Sequence, residues 1–289
     1  MDKTVISILA GLGGMFGWGT SDFFANTSSD KIGHFRTFYW SQIAGMGMMA
    51  VFMLFLTPEF NVSARIFGLL IAASILYTTG YLLFYKAFEI GNVSVVSATI
   101  NLNVVLAIIL AYLFLGQRLT NTQLPAVFLI LTGVMLVSVN ITDFAKGTIS
   151  LLAGAREAIF ASCAFGIFWN MSQILSEQIG WLPTTFYIKV ISILILAVMV
   201  MSNKEDRAYK RKFKNALPMV VLVGILEAGA IASVNFGLSV GDLVLITPIS
   251  SALSIVTISL AIIFLKERIS KTQILGMTLA IVGIVLTGL

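Results

Sequence analysis

Apolar runs of about 20 residues follow one another along the whole chain, separated by short polar connections. A hydrocarbon core about 30 Å thick is crossed by roughly 20 residues of helix, so each run predicts a membrane-spanning helix. Ten spans are expected, at about 5–25, 36–56, 64–87, 91–115, 122–140, 150–175, 183–201, 217–238, 243–265 and 273–289. Gly91-Asn92 and Ser239-Val240-Gly241-Asp242 read as tight breaks between neighbouring helices. Pro125, Pro183, Pro218 and Pro248 are placed in first helical turns, where a missing N–H costs little. The start, Met1-Asp2-Lys3 followed by an apolar stretch to Trp18, has the outline of a signal peptide. It lacks a convincing small-residue cleavage site and is read as a retained first span. The fold class expected is all-α integral membrane.

Polar residues inside a lipid-spanning helix turn toward the protein interior or toward water. At steps of three and four, Thr247, Ser250, Ser254 and Thr257 share one face of the ninth span. Ser94, Ser97 and Asn101 do the same in the fourth, and Ser74, Tyr77 or Thr78, Tyr81 and Tyr85 mark the third. The sixth span carries Ser162, Gly166, Asn170 and Gln173 with Trp169 alongside, and the first carries Gly11, Gly14, Trp18 and Asp22. Spans five and ten have hardly any polar stripe and are placed at the periphery. Aromatic walls with a few hydrogen-bonding groups suit small organic ligands. The expected solute-facing set is therefore Trp18, Tyr77, Tyr81, Ser97, Asn101, Trp169, Asn170, Gln173, Thr247, Ser250 and Ser254. Spans four and nine are expected to bring Asn101 and Thr247 together across the cavity. The plainer alternative is that the serines and threonines bond their own backbone and that Gly11 to Gly19 serve close packing. Tyr39, Trp40, Trp181 and Tyr85 suit interfacial anchors, Cys163 a small core position and His34 a loop.

Three ionisable residues stand apart. Glu227 lies ten residues into the eighth expected span, about 15 Å from its start at 1.5 Å per residue. A bare carboxylate at that depth is costly, so it is expected to be protonated, paired or solvated. Lys189, on a face with Thr185 and Ser192, either snorkels to the headgroups or pairs with Glu227. Asp22 falls near the end of the first span. Glu227, Asp22 and Lys189 are the candidates for proton or cation coupling.

Composition narrows the function classes. The chain has 289 residues, 58% hydrophobic and only 11% charged, against roughly 25% charged in an ordinary soluble domain. One cysteine and one histidine exclude an intrachain disulfide and a Cys/His metal cluster. No phosphate loop, zinc-hydrolase or nucleophile-elbow motif occurs, no loop is large enough for an enzyme domain, and no cofactor is expected. The formal net charge of +5 comes from basic residues lying between apolar runs, which suits a membrane surface better than nucleic acid. The expected partners are a small-molecule substrate and the lipid bilayer, with no nucleic acid. Monomer and homodimer both stay open.

The chain also repeats itself. At a shift of 150 residues Gly91 aligns with Gly241, Phe114-Leu115 with Phe264-Leu265, Arg118 with Arg268, Thr122-Gln123 with Thr272-Gln273 and Gly133 with Gly283. Five spans separate the partners, and an odd number turns the second copy over in the membrane. Inverted repeats of this kind are typical of secondary transporters, with the solute site near the midplane between the copies. Phe264-Leu265-Lys266-Glu267-Arg268-Ile269 with Gln273, Gly276 and Gly283 resembles the end of an EamA domain. So does Phe114-Leu115-Gly116-Gln117-Arg118-Leu119 with Gln123 and Gly133. Gly17-Trp18-Gly19 and Phe165-Gly166-Ile167-Phe168-Trp169 resemble the two domain starts. The whole chain thus resembles a two-domain, ten-helix member of the EamA family in the drug/metabolite transporter superfamily, with repeats at 1–140 and 150–289. Gln117 departs from the glutamate seen at Glu267, so the first copy lacks an ion pair that the second can make. The resemblance implies a secondary transporter, not an enzyme, exporting amino acids or related metabolites across the cell membrane by alternating access; proton coupling is an expectation that rests on the depth of Glu227. Multidrug efflux and uniport stay open. An intramembrane enzyme would want paired acids or metal ligands, and a receptor would not need an inverted repeat.

Orientation follows from charge. The side holding the N-terminus and the even-numbered loops has Lys3, Arg65 and Arg118, whereas the other side has 14 of the 18 basic residues, six of them between Lys204 and Lys214. Basic loops stay cytoplasmic, so the 204–214 loop is expected inside and both termini outside. Single cysteines at Asn203 and Leu289, in a Cys163→Ser background, test this in intact cells with an impermeant thiol reagent. Labelling at Leu289 and not at Asn203 is expected, and the reverse overturns the assignment.

Overall fold

The computed structural model describes residues 2–56, 62–90, 93–138, 154–202, 210–266 and 270–288. These form α1 (Lys3–Ile32), α2 (His34–Leu56), α3 (Ala64–Ile90), α4 (Val93–Phe114), α5 (Gln123–Ser138), α6 (Ala155–Ile179), α7 (Trp181–Ser202), α8 (Lys210–Val240), α9 (Leu243–Ser251), α10 (Leu253–Leu260) and α11 (Lys271–Leu286). No strand occurs among the described residues. Among the described residues six segments are long and apolar enough to cross a membrane, and three shorter apolar helices accompany them. α1 is not among the six although its 30 residues reach about 45 Å, because glycines from Gly11 to Gly19 dilute its apolar character.

The outer surface is that of a membrane protein. Leu54, Phe55, Phe114, Phe128, Val198 and Ile263 are among many large apolar side chains left exposed, an arrangement that only a hydrocarbon solvent tolerates on this scale. Cys163 joins them on the surface, which corrects its expected core position: it sits on the outer face of α6, and the core face is taken by Ser162, Phe165 and Gly166.

Two expected spans differ from the structure. α8 begins at Lys210, so Pro218 lies inside the helix instead of in its first turn. The ninth expected span is not one helix. It breaks at Ala252 into α9 and α10 and ends in a π-helical turn over Ala261–Leu265. Pro248, inside α9, cannot donate to the carbonyl one turn back and crowds it. Ser250 and Ser251 donate their hydroxyls to the Thr247 and Pro248 carbonyls. These side chains take over backbone acceptors just before the break.

The two halves pack by the same scheme with their roles exchanged. α1 packs on α8 as α6 packs on α3, α2 meets α8 as α7 meets α3, and α4 lies on α6 as α9 and α10 lie on α1. α5 and α11 pack on each other. Glycines set the closest crossings: a Cβ at Gly19 would sit 2.6 Å from Val256 Cβ, and one at Gly166 2.9 Å from Leu106. Gly133 and Gly276 face each other's backbone across α5 and α11 in the same way. Small residues at Gly11, Gly13, Gly14 and Gly17 likewise admit α8 and α9, as the close-packing reading expected.

Local motifs recur as well. Thr120 and Gln123 form reciprocal side-chain bonds to each other's backbone N–H at the start of α5. Ser270 and Gln273 do so for α11, so the Gln123/Gln273 match is a pair of capping boxes. α1 and α6 both end at a glycine of the same conformation, Gly33 (φ 84, ψ 152) and Gly180 (φ 83, ψ 157). Ser29-Asp30-Lys31-Ile32-Gly33 with Thr37 and Ser176-Glu177-Gln178-Ile179-Gly180 with Thr184 are one corner motif, at a shift of 147. The first two helices of each half are thus related at a shift of 147 and the later ones at 150.

One end of the bundle is tied together by contacts distant in sequence. Lys3 pairs with Asp242 at 2.8 Å, and Ser7 Oγ accepts the Asp242 N–H at 2.9 Å. Gln117 accepts the Val244 N–H at 3.2 Å and so caps the start of α9 from the other half. This is the role its amide takes in place of the glutamate. The start of α1, the α4–α5 connection and the α8–α9 turn therefore share one end.

The shift of 150 also pairs Gly116 (φ 67) with Lys266 (φ 56), where the chain turns left-handed after α4 and after the π-helical turn. A side chain in that conformation is strained and glycine is not. Lys266→Gly should raise stability by about 0.5–1 kcal/mol, and Gly116→Ala, which meets no neighbour, should lower it by about as much. Thermal unfolding in detergent measures both. A Lys266→Gly protein no more stable than the wild type would contradict the account.

Candidate functional site

Four buried side chains from α2, α3, α7 and α8 close on one another at the middle of the bundle. They are Gln42, Tyr77, Lys189 and Glu227, with Gln42 and Lys189 wholly inaccessible. Lys189 forms an ion pair with Glu227 Oε2. Tyr77 donates its hydroxyl to Glu227 Oε1 at 2.5 Å. Gln42 donates to Glu227 Oε2 at 3.5 Å and accepts from Lys189 Nζ at 3.0 Å. Every charged atom in the group thus has a partner, which a buried ion pair requires to offset its desolvation. Lys189 does not snorkel. α2 and α8 approach closely enough to enclose it because Gly45 and Gly224 meet there. A Cβ at Gly45 would sit 2.8 Å from the Gly224 carbonyl oxygen and 3.2 Å from Lys189 Nζ.

The sequence separations inside this group are its most informative property. Gln42 and Lys189 are 147 residues apart and Tyr77 and Glu227 are 150 apart, the two shifts that relate the halves. Each residue touches its own counterpart. Two equivalent positions can meet only on the axis that exchanges them, so the tetrad marks that axis.

An aromatic wall runs from the tetrad toward α1. Tyr77 packs on Phe168 at 5.3 Å, Phe168 on Trp169 at 4.8 Å and Trp169 on Trp18 at 5.5 Å between ring centroids. In the other direction Tyr77 meets Tyr81 at 4.8 Å, which stacks on Phe38 and touches Phe165 and Tyr85. The structure thus gathers Trp18, Tyr77, Tyr81 and Trp169 from the expected set. Among the described residues three buried polar atoms on α1 and α6 have no partner: Trp18 Nε1, Asn170 Oδ1 and Gln173 Oε1. Asn170 spends its amide N–H groups on the Ala107 and Gly166 carbonyls, and Gln173 donates to Glu177 at 2.7 Å. Asp22 is half-buried one turn beyond Trp18.

The remaining expected residues are placed elsewhere. Asn101 donates to Ser138 of α5 at 3.1 Å, and Thr247 returns its hydroxyl to the Leu243 carbonyl, so no hydrogen bond joins them. Ser250 bonds the Thr247 carbonyl and Ser254 is half-buried just past the break. The side chain of Ser97 lies outside the described residues. A groove of about 550 Å³ between α1, α2 and α8 is apolar, with Phe52, Ile225 and Phe236 at its exposed rim, and none of the expected residues lines it.

Pattern reading missed Gln42, which adjoins Ser41 in the second span, and Asn235. Asn235 accepts from Ser172 at 2.8 Å and donates to Thr185 at 2.9 Å, joining α6, α7 and α8. The signal for Gln42 existed: aligning the two Ser-x-x-x-Gly corners sets it opposite Lys189.

The EamA-like transporter family matches the chain twice, over residues 5–139 and 153–289. An uncharacterized protein of Methanocaldococcus jannaschii, MJ1333.1, is 26% identical over 137 residues. That stretch is 94% of the relative and 47% of this chain, so nearly the whole relative corresponds to half of the molecule. A solved crystal structure of another protein superposes with a TM-score of 0.79 over 97% of this chain and 96% of its own, at 13% identity, a likeness of fold alone.

The pairing in the tetrad makes a prediction by subtraction. Glu227→Gln strands the Lys189 ammonium and should destabilise the protein by about 3–5 kcal/mol. Lys189→Met added to it should restore most of that loss. Thermal unfolding of the single and double variants decides, and a double variant no better than Glu227→Gln would contradict the pairing.

Proposed function

Since the chain belongs to the EamA-like transporter family, we propose that it is a ten-span secondary transporter that exports small organic solutes across the cell membrane by alternating access. Ten crossings agree with the shared end of the α1 start, the α4–α5 connection and the α8–α9 turn. In this reading α1, α4, α5, α11 and the broken α9–α10 cross together with the six longer segments' other members, and the basic loops face the cytoplasm. The observation that carries the proposal is the exchange of packing roles between the halves about an axis occupied by the tetrad. Two halves so related can trade conformations, opening one end as the other closes, without moving what lies on the axis.

The solute lies along the aromatic wall between the axis and α1. There Trp18 Nε1 offers a donor, and Asn170 and Gln173 offer acceptors, that no described residue satisfies. Buried polar atoms without partners are costly, and a solute or water that bonds them recovers that cost. Amino acids and related metabolites suit this mixture of ring faces and amides. The split ninth span supports the same reading, because interrupted helices in transporters expose backbone groups at the solute site. Glu227 serves as a fixed element of the axis here, its charge matched by Lys189, and cation coupling falls to Asp22.

Reconstitution into proteoliposomes tests transport directly. A panel of amino acids, amines and amphipathic compounds should yield saturable flux for at least one class. Asn170→Leu with Gln173→Leu should raise its half-saturation concentration at least tenfold. Absence of saturable flux for every class from folded, correctly inserted protein would contradict the proposal.

A further inference from the structure

We propose that the groove between α2 and α8 seats one acyl chain of a membrane lipid, with the headgroup end at Trp181 and the tail at mid-membrane. The proposal stands on the membrane-spanning fold and is independent of transport.

The groove exists because two helices diverge. α2 and α8 touch at Gly45 and Gly224, where a Cβ on Gly224 would sit 2.3 Å from the Ser41 carbonyl oxygen. Beyond that crossing α2 presents Met48 and Phe52, and α8 presents Gly229, Ser233 and Phe236, as facing walls. α1 closes the floor at Gly13 and Gly17. It is seated so tightly on α8 that a Cβ at Gly17 would lie 2.7 Å from Ala230 Cβ. The groove therefore opens outward, past exposed Phe52, Ile225 and Phe236, onto the surface that faces hydrocarbon. No charged side chain lines it among the described residues, and the hydroxyl of Ser233 is taken by the Ala10 carbonyl at 3.3 Å.

Length and volume select the occupant. From Ile225 to Phe236 the axis of α8 rises about 16 Å, half of a hydrocarbon core about 30 Å thick. The groove thus runs through one leaflet, from the Gly45–Gly224 crossing beside the tetrad to the start of α7 at Trp181. A membrane-spanning helix of a second protein would need a groove about twice as long. Over this length a helix about 10 Å across fills roughly 1,300 Å³, whereas the groove holds about 550 Å³. A single hydrocarbon chain suits both dimensions. Trp181 stands at its mouth, and an indole, apolar in body with one N–H, settles at headgroup level.

The groove is also one-sided. At the shifts that relate the halves, Gly13 corresponds to Phe160 and Ser233 to Leu83. Bulky side chains stand where the groove has its floor and wall, so the repeat does not create a second one. The site belongs to the leaflet at the end tied by Lys3 and Asp242.

Lipid retention tests the site directly. The protein is reconstituted in dioleoylphosphatidylcholine, extracted into detergent and weighed by native mass spectrometry. One phosphatidylcholine should stay bound, and Gly229→Phe should lower the retained fraction at least tenfold. A Cβ at Gly229 meets nothing within 4 Å, so the ring should fill the groove with an unchanged thermal unfolding midpoint. Gly68 of α3 is equally open and lies outside the groove, so Gly68→Phe should retain the lipid. No lipid on the wild type, undiminished retention in Gly229→Phe, or equal loss in both variants would overturn the proposal. A dimer of the chain that Gly229→Phe disperses would assign the groove to a second copy and overturn it as well. If Gly229→Phe does not fold, the emission removed by Trp181→Phe is compared in vesicles of plain and chain-brominated phosphatidylcholine. At least a twofold loss to bromine is expected, and an unquenched Trp181 defeats the site. Lipid retention without flux of any solute defeats the transporter and leaves the groove, whereas saturable flux without retention defeats the groove only.

Discussion

A lysine and a glutamate placed deep in a hydrocarbon-spanning bundle are tolerable only together. Taken from water singly, either charge costs several kcal/mol. Held against each other, with Gln42 and Tyr77 bonding the remaining oxygen and nitrogen atoms, they form a closed group. That group constrains the rest. α2, α3, α7 and α8 must converge at one depth, and two of them must be small enough at Gly45 and Gly224 to admit the ammonium. The first half supplies the neutral members, Gln42 and Tyr77. The second supplies the ionic ones at the equivalent positions. One interaction therefore fastens the halves at the axis, and it does so because the repeats have diverged there.

Away from the axis the halves are joined mainly by shape. α1 crosses α8 and α6 crosses α3 through small residues, and α5 locks to α11 through Gly133, Gly276 and Gly283. In hydrocarbon, close packing of this kind replaces the hydrophobic drive that holds soluble helices together. The outer surface is correspondingly apolar. Unsatisfied polar atoms are concentrated on α6, α7 and the aromatic wall, where a bound solute or water changes most.

The helical, membrane-spanning character of the chain was legible because twenty-residue apolar runs have few other physical outcomes. The later helices of each half were legible as a repeat because the capping boxes at Thr120/Gln123 and Ser270/Gln273 preserve an ungapped spacing. The first two helices of each half were not matched, since their shift is 147 and a rigid shift of 150 passes them by. That three-residue offset hid Gln42, whose role comes from its position opposite Lys189 and not from any stripe. The expected span ends failed at α8 and the ninth span for a different reason. Hydropathy sees apolar length, whereas Pro218 is carried inside a helix that starts earlier, and Pro248 with its flanking serines divides one that looked continuous. Polar stripes found the aromatic wall, yet they did not distinguish Asn170, left with an open acceptor, from Thr247, which bonds its own helix. Spacing places a residue on a face but does not say what stands opposite.

The central claim is that Glu227 is ionised and held by Lys189 on the axis between the halves. Isotope-edited infrared difference spectroscopy between the wild-type protein and Glu227→Gln, both in lipid, reads that state directly. The account predicts that the band lost from the wild type is the stretch of an ionised carboxylate. Loss of a protonated carboxyl band instead would show that Lys189 does not balance Glu227, and would contradict it.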